Sequence, residues 1–286
     1  MFELVRSIAK NKRLLRDFVV RDIKGRYIGS SMGFFWSVIF PLINLAIYTF
    51  VFRFVLKSRW SDQQPDTHVV MLMFLGIVVW TAYSETISRS TNSLVENANL
   101  IQKVVFPSEI LPVYLAISSW INMCIGLVFV VLGVVYIGYI DPLPAPERAA
   151  APGDPQYMPL ALGAPLVLLP LMFALQFLLA TGIGYLLSAL NLFVRDVYHL
   201  VGVFLTVWMF ATPIFYSGAV VQRQGFGWML EINPMCWLVD AYRSIVLYAQ
   251  WPDFGLLARF ALVALVVFSV GIAFFMKQKR RFPDLL

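Results

Sequence analysis

Three groups of side chains in this sequence could act on a ligand, and none of them forms a catalytic set. The first is cationic. Arg13, Arg16, Arg21, Lys24 and Arg26 crowd one short stretch, where they would attract phosphate-bearing head groups. The second is aromatic. The chain carries 24 Phe, 12 Tyr and 8 Trp, and Tyr48, Trp80, Tyr83, Trp208, Phe215 and Tyr216 are placed to face a pore. Sugar rings present C–H faces that stack on aromatic faces, so an aromatic lining suits a passing glycan without fixing it by hydrogen bonds; most other aromatics belong to packing or to interfacial belts. The third lies in GFGWMLEINPMCWLVDAYRSIVLYAQWP, Gly225–Pro252. Asn233 can cap a helix that starts at Pro234 and runs to about Gln250. Trp237 and Tyr242 lie on that helix, and Asp240 and Arg243, at i and i+3, can satisfy each other.

Equally informative is what is missing. No G-x-x-x-x-G-K-[ST] occurs, so the chain has no P-loop to cradle ATP phosphates. No nucleophile–base pair is evident. Two histidines, His68 and His199, make a His-based metal cluster an unpromising reading, and Cys124 and Cys236 read as free thiols packed as small hydrophobes. We expect no cofactor in this chain and no enzymatic activity.

The elements that must hold these groups are membrane helices. Of the 286 residues, 60% are hydrophobic and 13% charged, against about 25% charged in a soluble domain; mean hydropathy is +0.76. The net charge of +6 does not imply nucleic acid, because the positive residues sit at the ends of apolar runs. About 20 apolar residues span a bilayer, and six runs qualify: Met32–Leu56, Val69–Ile87, Ile110–Ile140, Leu160–Leu190, Val197–Ser217 and Leu256–Met276. The third and fourth reach roughly 45 Å and should tilt or kink, with Pro165 and Pro170 bending the fourth. The expectation is an all-α polytopic membrane protein with six transmembrane helices: residues 1–30 form an amphipathic interface helix and residues 31–286 the membrane domain.

With the N-terminus inside, 15 of the 22 Lys and Arg face the cytoplasm, which places both termini there by the positive-inside rule; Lys57 and Arg59 run against it locally. No cleavable signal peptide is visible. Ser58–His68 and the Pro- and Ala-rich Asp141–Pro159 read as outer loops, Ser88–Glu109 and Asn191–Asp196 as inner ones. No span centre carries an ionisable residue and no internal repeat is visible, which disfavours an ion-coupled carrier.

Two segments admit two readings each. Near the N-terminus, Leu15, Val19, Ile23 and Tyr27 form an apolar stripe with Phe18 beside it, opposite Arg13, Asp17, Arg21 and Lys24. This helix is either a topology anchor or a docking collar for a cytosolic partner. The outer segment 225–250 is either a surface-lying helix or a pair of re-entrant half-helices forming a gate; irregular backbone at that depth requires protein packing or a cavity around it.

RDIKGRYIGSSMGFFWSVIFPLINLAIYTFVF (Arg21–Phe52), VFPSEILP (Val105–Pro112), LNLFVRDV (Leu190–Val197), TPIFYS (Thr212–Ser217) and INPMCWLVDAYR (Ile232–Arg243) together resemble the permease subunits of type 2 ABC transporters that export cell-surface polysaccharides, including O-antigen and teichoic acid exporters. The segments occur in the family's order and cover nearly the whole chain. The resemblance implies a homodimer with the conduit at its two-fold interface, and two separate ATPase subunits that bind ATP and Mg. It implies a polyprenyl-pyrophosphate-linked polysaccharide as cargo and a bacterial inner-membrane location. It places ATPase contacts at the N-terminal helix, at Asn97, Lys103 and Pro107, and at Asn191, Arg195 and Asp196. It places the outer gate at Asn233, Pro234, Trp237, Asp240, Tyr242 and Arg243, and the attraction of the lipid pyrophosphate at Arg13, Arg16, Arg21, Lys24 and Arg26. The long outer loop Asp141–Pro159 departs from the family's pattern. A type 2 permease for a smaller cargo, a drug or lipo-oligosaccharide, shares this topology and is the alternative. A membrane-embedded enzyme on lipid-linked sugars is a further class, for which the inner loops offer only Glu96, Glu109 and Asp196.

Overall fold

A computed structural model of the chain describes residues 2–26, 35–55, 66–104, 106–140 and 158–286. Among these residues the regular structure is helical, save one parallel bridge between Ala161 and Tyr248. The N-terminal amphipathic stretch is two helices, α1 (Phe2–Lys10) and α2 (Lys12–Gly25). They part at Asn11, whose side-chain amide donates to the Ser7 carbonyl at 2.8 Å. α2 buries Val19 and packs Leu15, Phe18 and Ile23 against the inner core, which is the stripe read from the sequence up to Ile23; Tyr27 lies outside the described residues.

α3 (Trp36–Thr49) continues into a π-turn, Phe50–Val55. α4 (Asp66–Glu96) is the central post: 72% of its most apolar window is buried, against 28–39% for the other long helices. α5 (Ala98–Lys103) is a single short inner helix, and α6 (Ile110–Val135) ends in a π-turn at Tyr136–Ile140. The bend expected from Pro165 and Pro170 is a 3₁₀ turn, Ala164–Leu168, leading into α7 (Leu169–Phe193). Both prolines sit in opening turns, where the missing N–H costs no ladder bond. α8 (Val197–Ala211) stops at Thr212, which is extended (φ −102°, ψ 132°) because Pro213 disfavours helix at the residue before it. Next follow α9 (Gly218–Arg223), α10 (Gly227–Ile232) and α11 (Pro234–Leu247). α12 (Phe254–Gln278) runs back along the bundle, and α13 (Phe282–Leu285) follows it.

α7 and α12 make the closest helix pair. A Cβ on Gly271 would lie 2.0 Å from the Gly182 carbonyl oxygen, and one on Gly182 2.6 Å from the Phe268 Cα. Neither position accepts a side chain without parting the helices. One apolar cluster fills the middle and outer half between α4, α6, α7, α11 and α12. A second joins α2, α5, α6, α7, α12 and α13 on the inner side.

Among the described residues, four helices are long and apolar enough to cross a membrane: Thr67–Glu96, Ile110–Tyr139, Ala164–Phe193 and Phe254–Leu285. They correspond to the second, third, fourth and sixth runs. Part of the first run, and residues 56–65 and 141–157 of the outer loops, lie outside the described residues. The fifth run is helical for 15 residues only, roughly 22 Å.

Candidate functional site

The inner side is organised by charge. α2 lies on α6 through Phe18, whose ring centroid is 5.2 Å from that of Tyr114 and 5.6 Å from that of Phe106. One turn on, Asp22 meets α4. Arg89 donates to both Asp22 oxygens, through Nη1 at 3.1 Å. Arg26 Nη2 lies 2.6 Å from Glu85 Oε1, and Arg26 Nε 3.2 Å from Asp22 Oδ2. Burial alone would raise the Asp22 carboxyl pKa. The hydrogen bond and charge of Arg89, with Arg26 beyond it, outweigh that and hold it below the ordinary value. Beside this quartet lies an open cleft of ≈ 410 Å³, bordered by Phe18, Arg21, Arg26, Arg89, Asn97 and Leu100.

Of the five basic residues singled out in the sequence, Arg13, Arg16, Arg21 and Lys24 are exposed, with Arg21 5.9 Å from the Phe18 ring centroid. Arg26 is half-buried and paired. Asp22, Glu85 and Arg89 did not figure among the site residues, although two signals were present: Asp22–Arg26 and Glu85–Arg89 both stand at i, i+4.

The inner-loop residues occupy two neighbouring turns. Asn97 ends α4 by donating to the Ser93 carbonyl at 2.8 Å; Lys103 is exposed and Pro107 half-buried. Asn191 is buried and accepts from the Tyr198 backbone N–H at 3.2 Å, fixing the turn that presents Arg195 and Asp196 to solvent. A cleft of ≈ 350 Å³ brings the turns together: Asn92, Val95 and Ala98 face Asn191, Arg195 and His199 across it, with Leu285 of α13 at one side.

The aromatic residues divide. Trp80, Tyr83 and Trp208 form one cluster, with centroids 5.8, 6.2 and 5.5 Å apart. Tyr83 is fully buried within the chain, as is Phe215; Trp208 and Tyr216 are half-buried. Trp80 and Phe215 nonetheless border a small cleft of ≈ 70 Å³ with Asn44 and Thr81. Tyr48 lies on α3, and its side chain is outside the described residues. α8 also leaves Leu200, Val203, Phe204, Val207 and Phe210 exposed along one face, a stripe at helical spacing that was legible in the sequence and was not singled out.

The outer segment is tied down by a few polar side chains. Asn233 caps α11, accepting from the Met235 N–H at 3.0 Å and from Trp208 Nε1 at 2.8 Å. Its amide donates to the Ala211 carbonyl at 3.2 Å and to Thr212 Oγ1 at 3.1 Å. One asparagine thus joins INPM to TPIFYS. Pro234 opens α11, and Trp237 donates to the Leu230 carbonyl at 3.1 Å, holding α10 against it. Tyr242 donates to Gln176 at 2.9 Å, and Gln176 to the Val79 carbonyl at 3.2 Å. The Arg243 side chain is 6% exposed. It reaches Asp240 at 3.3 Å, the Ile214 carbonyl at 3.2 Å and the Leu72 carbonyl at 3.4 Å, while the Asp240 side chain is 60% exposed. α11 is therefore packed among α4, α7 and α12 and does not lie on the surface; α10 buries no residue. Among the described residues no group of three or more His, Cys, Asp or Glu could hold a metal ion.

The described residues thus present exposed cations on α2, a cluster of aromatic rings around Trp80 and Trp208, and an α10–α11 segment tied down by polar side chains. Residues 14–247 match the family described as ABC-2 type transporter. The chain is 27% identical over 286 residues to an O-antigen export system permease protein RfbA of Myxococcus xanthus, covering 99% of each chain. It is 26% identical to a Klebsiella pneumoniae protein of the same name over 93% of this chain and 92% of that one, and 24% identical to a second from that organism.

Proposed function

Because the chain belongs to the ABC-2 type transporter family, we propose that it is the permease subunit of an ATP-driven exporter. Its cargo is an O-antigen-like polysaccharide linked to polyprenyl pyrophosphate, moved outward across the bacterial inner membrane. One observation carries the reading: relatives that align along almost the whole chain share the name of O-antigen export permease. None of them is named for a drug or another small cargo, so the smaller-cargo alternative gains no support.

In this reading α3 with its π-turn, and α8 extended through Thr212–Tyr216, are the first and fifth spans, and both termini are cytoplasmic. A second copy covers the apolar faces that α3 and α8 leave exposed, at Phe40, Ile43, Ile47, Leu200, Val203 and Val207, and the conduit lies between the copies. Two ATPase subunits, carrying ATP and Mg, dock on α2 and on the neighbouring turns at Asn97–Pro107 and Asn191–Asp196. The exposed Arg13, Arg16, Arg21 and Lys24 attract the pyrophosphate. Arg26, neutralised by Asp22 and Glu85, holds the collar to α4 instead. The glycan then passes Trp208, Tyr216 and the cleft beside Trp80. The α10–α11 segment yields at the outer end.

Removing this chain from its cell is expected to abolish surface polysaccharide and to leave lipid-linked glycan on the cytoplasmic side, with both restored by the intact chain. Normal surface polysaccharide without it overturns the cargo. Reversing Arg21 and Lys24 together (R21E/K24E) is expected to cut export while leaving membrane insertion intact. Normal export by that variant removes the pyrophosphate role and leaves docking standing.

A further inference from the structure

The carboxylate of Glu109 is the point where the separate inner elements meet. Its side chain is only 2% exposed, at the residue preceding α6. One carboxylate oxygen takes a bond from Lys279 Nζ at 2.6 Å, just past the end of α12; the other takes one from the Ser7 hydroxyl of α1. Its backbone carbonyl accepts from the Tyr185 hydroxyl of α7 at 2.7 Å. The Tyr185 ring stands edge-on to Phe275 of α12 at 5.0 Å, and Phe275 stands edge-on to Phe282 of α13 at 5.0 Å. Burial alone would raise the Glu109 carboxyl pKa, but Lys279 and Ser7 more than offset it, so the group is held as a carboxylate.

A buried carboxylate is costly unless it is paired and hydrogen-bonded, and an apolar residue of similar volume often serves stability as well or better. Stability alone therefore gives a weak reason for an acid here. Position gives a stronger one. Glu109 closes the inner segment that begins at α5. The same segment is fastened to α2 independently, through Phe106 on Phe18. A load on α5 thus reaches the N-terminal helices by an apolar contact at Phe18 and a charged one at Ser7, and reaches α12 through Lys279.

We propose that Glu109 is a positioning residue for transport: it joins α1, α6, α7 and α12 into one inner unit, so that movement imposed at the α5 turn is delivered to α1 and α12 together. This rests on the family's dependence on an ATPase and not on the nature of the cargo. Glu109 touches no substrate in this role and acts through Ser7, Lys279 and Tyr185.

The test uses the complete permease–ATPase complex in vesicles and reads ATP hydrolysed per labelled lipid-linked glycan translocated, which loss of folded protein alone does not move. Glu109→Gln and Lys279→Gln are each expected to raise that ratio about tenfold, within the range of ordinary coupling energies. Lys279→Arg, which keeps the charge, should stay within about threefold of the unaltered complex. A ratio unchanged in both E109Q and K279Q overturns the proposal whatever happens to yield, and so does K279R failing as badly as K279Q. If the unaltered complex translocates no glycan, the export reading fails instead. The junction is then read from the stimulation of the ATPase by the permease, which E109Q should lower and which an unchanged value would contradict.

Discussion

The two ends of the helix bundle are fastened by different chemistry. On the inner side, α2 is joined to α4 by Asp22, Arg26, Glu85 and Arg89, and α1 and α12 meet at Glu109 and Lys279. These contacts pair full charges, at partly exposed positions around Asp22 and at the buried Glu109. On the outer side, Asn233, Trp208 and Thr212, and Gln176 with Tyr242, are neutral groups, and Arg243 bonds chiefly to backbone carbonyls. Ion pairs tolerate small shifts in geometry and are screened by salt, whereas neutral hydrogen bonds in a dry interior depend on angle and distance and scarcely respond to it. An inner end held by ion pairs can follow a moving partner through many small displacements. An end held by directional bonds yields only when the backbone itself moves.

Substitutions can break this contrast, and the largest effects are expected outside. Arg243→Met preserves bulk but takes the side-chain donor from the Ile214 carbonyl and the cation from Asp240, while the Leu72 carbonyl keeps its bond within α4, at a cost of about 2–3 kcal/mol; thermal unfolding in nanodiscs reads it, and a loss below about 0.5 kcal/mol would show that the Ile214 carbonyl has another partner. Asn233→Ala removes the α11 cap together with the Trp208 and Thr212 bonds, at a cost of about 2 kcal/mol. Its loss should be nearly the same in low and high salt, since no charge is involved.

Inner substitutions should be milder and salt-dependent. Asp22→Asn keeps shape but leaves Arg89 and Arg26 facing each other, at about 1 kcal/mol once solvent screening of these partly exposed groups is allowed for. Raising salt should shrink that difference, and an effect that persists unchanged at high salt would place the pair in a drier setting than its exposure implies. Acid should separate the ends last and least. Glu109 and Asp22 both titrate below their ordinary values of 4.5 and 3.8, so the stability they contribute is complete above those values. It is lost as pH falls through their lower folded values. Hydrogen-exchange protection, corrected for the intrinsic rate at each pH, should therefore be unchanged between pH 7 and 5 at both ends, and below about pH 4.5 it should fall in α1, α2 and the start of α6 before α11. Early loss in α11 would reverse the assignment.

Much of this arrangement was legible in the sequence because the signals were local. The stripe of Leu15, Val19 and Ile23 has helical spacing, and it packs inward as that spacing requires. Asn233 followed by Pro234 announces a helix start, and α11 begins there; it ends at Leu247, where Ala249 takes positive φ (51°), three residues before the boundary read from apolar content. What escaped was non-local. Nothing in the spacing of Asp22, 67 residues from Arg89, marks them as partners, and Glu109 and Lys279 are 170 apart. Aromatic residues escaped for a different reason: composition supplies Trp80, Tyr83 and Phe215, but only packing places Tyr83 in the interior of the chain and leaves Phe204 and Phe210 on its surface.

The most direct measurement is translocation of a labelled polyprenyl-pyrophosphate-linked glycan into inside-out vesicles containing this chain with its ATPase. Appearance of glycan in the lumen that requires ATP, the ATPase and this permease together is the predicted result. Lumenal glycan that is absent in all conditions, or that forms equally without ATP, would contradict the account.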